Sequence, residues 1–64
     1  MYETKEEIVK RLIADEIMES RLPLFIRNNL VRSLYARRGE ENARELFNEF
    51  IALRNAQITK EIRG

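Results

Sequence analysis

Apolar residues recur along this chain at helical spacing. Ile8, Val9, Leu12, Ile13 and Ile17 fall within about 180° of a helix circumference. Thr4 followed by Glu7 has the form of a capping box, in which hydroxyl and carboxylate each satisfy an orphan backbone donor. Glu6 with Lys10 and Glu7 with Arg11 add favourably oriented i,i+4 pairs, so a first helix is expected over about 4–19. Pro23 has no N–H to donate and pushes Leu22 out of the helical region, yet Pro is well tolerated in a first turn. Ser20 or Leu22 is therefore expected to cap a second helix over about 23–38, with Leu24, Ile26, Leu30, Val31, Leu34 and Tyr35 on its apolar arc.

Gly39 suits a left-handed position just past the end of that helix, where Arg37 and Arg38 would face the negative pole of the dipole. Asn42 and Glu45 resemble another capping box. A third helix over about 43–62 carries Leu46, Phe47, Phe50, Ile51, Leu53, Ile58 and Ile62 on one broad face. Fusing the last two helices through Gly39 would cost only about 1 kcal/mol, but three helices is the preferred reading. No internal repeat, low-complexity segment or linker interrupts the pattern.

The expected fold class is all-α: two to three amphipathic helices in a small helical bundle, one domain over 1–64. A chain of 64 residues buries only about 60 % of its unfolded surface, so its core needs support. Cys and His are both absent, which excludes disulfides and Cys/His zinc sites and leaves good packing or a second copy. Three arcs near half a circumference exceed the seam of a two-helix contact, and Phe25 and Met18 fall outside them. A homo-oligomer is expected, a dimer first, with Phe25, Phe47, Phe50, Arg54 and Ile58 at the interface.

Composition adds mainly exclusions. Without His or Cys, the candidates for catalysis reduce to carboxylate pairs such as Asp15 with Glu16 and Glu40 with Glu41, and adjacent helical residues point apart. Glu45 and Glu49 lack the Glu-x-x-His partner of a di-metal site. These read as solvated charge and acidic helix starts favoured by the dipole, so no enzyme, metal or cofactor is expected. No apolar run approaches the roughly 18 to 20 residues of a membrane span, and MYETKEEIVK is charged where a signal peptide would be apolar. A cytoplasmic protein without a membrane partner is expected.

Charge, by contrast, is informative through its placement. The net value is +1, giving no global field. Yet residues 1–20 carry −3, residues 21–38 carry five Arg and no acid for +5, and residues 39–64 carry −1. Asn28, Asn29, Arg32 and Ser33 lie opposite the second helix's apolar arc, with Arg21 before them and Arg37 and Arg38 after. Arg and Asn make bidentate contacts to guanine and adenine edges and, with Ser, bind phosphates. These seven residues are the candidate nucleic-acid contacts of a small nucleic-acid-binding or regulatory protein, although no zinc-finger or basic-zipper signature accompanies them.

Two other accounts stand beside that one. The basic helix can simply be neutralised by the acidic first helix, or the protein can be an adaptor that binds a larger protein through an apolar patch containing Phe25 and Met18. Three arginines also occupy apolar positions. For Arg27 and Arg38, stems covering apolar surface suffice. Arg54, flanked by Phe47, Phe50, Ile51 and Ile58, is expected to need a carboxylate or carbonyl partner, and one across a subunit interface would set register. In size and composition the chain is similar to small helical repressors and to dimerising helical hairpins that bind RNA, an analogy that carries no residues over.

Overall fold

The computed structural model describes the backbone of residues 2–63 and the side chains of residues 2–60, so Ile62 of the expected stripe lies outside the described side chains. Three helices make up the fold: α1 (Lys5–Glu19), α2 (Leu24–Ala36) and α3 (Glu40–Arg63), with no strand among the described residues. α1 starts as its spacing predicts. The Thr4 hydroxyl accepts from the Glu7 N–H at 3.2 Å, and the Glu7 carboxylate accepts from the Thr4 N–H at 3.3 Å.

The two connections differ from expectation in their chemistry. Ser20 does not cap α2 but closes α1, its N–H and hydroxyl both donating to the Ile17 carbonyl at 3.2 and 2.6 Å. Leu22 is buried in the turn as part of the core. Pro23 takes the N-cap position of α2, where its carbonyl accepts from the N–H groups of Ile26 and Arg27, both at 3.0 Å. α2 stops at Ala36, two residues early, because Arg37 is extended (φ −81°, ψ 144°) and not helical.

Gly39 has φ +89°, but it introduces α3 instead of finishing α2. Its carbonyl accepts from the Ala43 N–H at 3.2 Å, so α3 begins at Glu40, three residues before the expected start. Asn42 is consequently not a cap. It lies inside the first turn, and its amide donates back to the Arg38 carbonyl at 2.6 Å. The extended residue and the left-handed glycine together separate α2 from α3, which rules out the fused helix.

α1 and α3 run in the same direction, with α2 returning between them. At one end the Gly39 N–H donates to Glu6 at 3.0 Å and Lys5 pairs with Glu40 at 3.7 Å; at the other, residues 19–22 lie beside Arg54, Gln57 and Ile58. Ile13, Ile17, Leu22, Leu34, Ala43, Leu46 and Phe50 form the core, lined by half-buried Val9, Ile26, Leu30, Val31, Phe47 and Ile51. Each fully buried large side chain contributes about 1.5–3 kcal/mol. The Phe47 and Phe50 rings meet at 5.9 Å and 44°, within the range of favourable aromatic pairs.

The inward faces are rotated relative to the expected arcs. Lys10 is buried, only 6 % exposed, donating to the Arg37 carbonyl and pairing with Glu6 at 3.3 Å, whereas Leu12 is 57 % exposed. Polar partners at the α2–α3 turn thus draw Lys10 inward, and Ile8 and Leu12 remain on the outside. α3 also outlasts its neighbours. Its 24 residues against 15 and 13 rise about 36 Å, giving a molecule 47 × 19 × 15 Å in which Leu53 and Ile58 are left exposed.

Candidate nucleic-acid interface

The five arginines of the basic segment do different things. Arg27 turns inward and donates to the Met18 carbonyl at 2.8 Å. It supplies the positive charge that the last turn of α1 lacks, a tertiary cap beyond the stem coverage expected of it. Arg37 faces α3, donating to Glu49 at 3.0 Å and to the Asn42 carbonyl at 3.4 Å. It is therefore not part of the outward face, because ending α2 at Ala36 turns it towards the third helix. Arg21, Arg32 and Arg38 are exposed, and among the described residues the ion pairs of the chain leave all three out.

On α2 itself, Asn28, Asn29 and Arg32 are exposed as expected, while Ser33 is half-buried at the flank. The same surface carries residues that the apolar arc assigned to the core. Leu24 and Tyr35 are exposed, Tyr35 at 55 %, and Phe25 reaches 68 %. Phe25, Asn28, Arg32 and Tyr35 follow one another at i, i+3, i+7 and i+10, a stripe about 80° wide and about 15 Å long. The signal for Tyr35 was present, since it and Leu24 sit at the edge of an arc wider than the seam of a two-helix contact.

This surface offers amide hydrogen bonds, a guanidinium for phosphate and two aromatic faces, with no carboxylate on its helix. The start of α3 offers the opposite, because Glu40 and Glu41 occupy its first turn and would repel phosphate. Acids without an ion partner among the described residues, such as Asp15, Glu16, Glu41 and Glu45, belong to α1 and α3. Charge is sorted by helix.

The expected interface residues are not gathered in one patch. Phe50 is 0 % exposed and belongs to the core of the single chain, so it has no surface to offer a second copy. Phe47 is half-buried against that core, whereas Phe25 and Ile58 remain exposed on different helices. Arg54 lies over the Phe50 ring, 5.6 Å from its centre, a cation–π contact. Its Nε is buried without a hydrogen-bond partner, and the expected carboxylate or carbonyl is missing among the described residues. A cleft of about 220 Å³ opens beside it, lined by Glu19, Ser20, Arg21, Leu22, Gln57 and Ile58.

Among the described residues no group of three or more His, Cys, Asp or Glu is placed to hold a metal ion, and no helix is long and apolar enough to cross a membrane. No protein-family model, curated protein or solved structure matches the chain. Fold and surface together define a three-helix all-α protein whose second helix carries no acid.

Proposed function

We propose that this protein is a non-catalytic, homo-oligomeric binding module of the cytoplasm that holds nucleic acid on the outward face of α2. The supporting observation is that Arg32, Asn28 and Asn29 stand exposed on a helix without a single carboxylate, while the ion pairs among the described residues lie elsewhere. A polyanion gains from such a face, since each phosphate neutralised by Arg releases condensed counterions. The exposed amides next to it bond base edges or sugar and phosphate oxygens.

Fluorescence anisotropy with labelled DNA and RNA at low salt tests the reading. Arg21→Glu with Arg32→Glu should abolish binding and leave the helical circular dichroism intact, because neither residue contributes to the core. Each lost phosphate contact should also flatten the salt dependence by about 0.9 in logarithmic slope for duplex DNA, or about 0.7 for a single strand. If the unmutated protein retains neither DNA nor RNA at low salt, the reading fails.

Leu24, Phe25 and Met18, all exposed, favour a second reading in which the occupant is an apolar surface of a larger protein. Salt separates the two, as an apolar interface changes little with ionic strength whereas a phosphate-driven one weakens steeply.

A further inference from the structure

We propose that the nucleic acid held on α2 is single-stranded, with bases stacking on Phe25 and Tyr35 and Arg32 holding phosphate between them. This rests on the nucleic-acid reading of the same face and adds the form of the strand. The two aromatic rings are the feature that the basic segment alone does not explain. Both are more than half exposed, at 68 % and 55 %, and both lie on the narrow stripe that also carries Asn28 and Arg32.

In a duplex the base faces are stacked on one another, and a groove presents only base edges. Two large rings at the ends of a stripe then have nothing to stack on. In a single strand the base faces are open, and each base of whatever sequence can lie on an aromatic ring. The length of the stripe fits. About 15 Å separates residues 25 and 35 along the helix, room for a short unstacked stretch of strand that places one base on each ring. Asn28, one turn from Phe25, can then bond the Watson–Crick edge of a splayed base. Arg21 and Arg38, exposed in the connections flanking α2, extend the phosphate contacts beyond either ring.

The experiment uses the full chain with a short labelled oligothymidine, an oligoadenosine RNA of equal length, and a mixed-sequence duplex, all at low salt. Single strands should bind more tightly than the duplex. Phe25→Leu and Tyr35→Leu should each weaken single-strand binding by about five- to a hundredfold, with duplex affinity and circular dichroism unchanged. Tyr35→Phe should retain binding, because the ring remains. The chain has two Tyr and no Trp, so in a Tyr2→Phe background the emission reports Tyr35 alone, and stacking should quench it on addition of oligothymidine. If the duplex binds at least as tightly and both leucine variants are neutral, the single-strand inference is overturned while the nucleic-acid reading stands. If no nucleic acid is retained, both fall.

Discussion

Arg54 shows at the residue scale how spacing can mark a side chain as anomalous while the fold decides what it meets. Its place among Phe47, Phe50, Ile51 and Ile58 implied a costly guanidinium, and its Nε is indeed buried without a partner. What compensates is the Phe50 ring beneath it, worth about 0.5–1 kcal/mol at a partly exposed site, against about 1–3 kcal/mol for an unsatisfied buried donor. Arg54→Met keeps the apolar stem and removes the orphan. It should leave stability unchanged or raise it by up to about 2 kcal/mol in urea denaturation. A loss above about 1 kcal/mol would reveal a partner for the guanidinium in the folded protein.

At the scale of elements, α2 carries the test of how the fold divides an apolar arc. Leu24 and Leu34 belong to the same arc by spacing, yet Leu34 is fully buried and Leu24 is exposed. Leu34→Ala should therefore cost about 2–5 kcal/mol through lost transfer energy and a residual cavity. Leu24→Ala should stay within about 0.5 kcal/mol, as surface substitutions do. Equal losses from the two variants, measured by thermal or urea unfolding, would mean that both residues are covered in solution. The division arises because α2 has its own inward anchors: Arg27 on the end of α1, and the α2–α3 turn held by Lys10 and Glu6. With both ends tied, the helix cannot rotate to bury Leu24 and Tyr35 as well.

For the whole molecule, size sets the terms. At about 0.05–0.15 kcal/mol per residue, a domain this small has roughly 3–10 kcal/mol of stability, and part of its apolar surface remains outside the core. On α3, Leu53 and Ile58 are both exposed, although Ile58 lies beside residues 19–22 at the end of α1. A second copy covering these two residues would add the support that disulfides or a metal supply in other small domains. The melting temperature should then rise with protein concentration, and light scattering at micromolar concentration should report at least a dimer. A monodisperse monomer with a concentration-independent melt would show that the three helices suffice alone.

The helices themselves were legible in the sequence because their determinants are local. Thr4 and Glu7 close a capping box within three residues, Pro23 forbids a continuous helix from α1, and the recurrence of apolar residues at the helical period needs no knowledge of neighbours. The absence of His and Cys, and the +5 segment between residues 21 and 38, were likewise plain. Tertiary structure alone decided which half of each wide arc is covered. Rotation of a helix about its axis depends on what the other helices present, so Lys10 went inward for the Arg37 carbonyl while Leu12, Leu24 and Tyr35 stayed out. It also decided the roles of the arginines. Arg27 and Arg37 found partners nine and twelve residues away in sequence, and Phe50, expected between subunits, was buried within one chain. Periodicity reports that a side chain is apolar or charged and where it lies on its own helix; the surface it meets is supplied by residues distant in the chain.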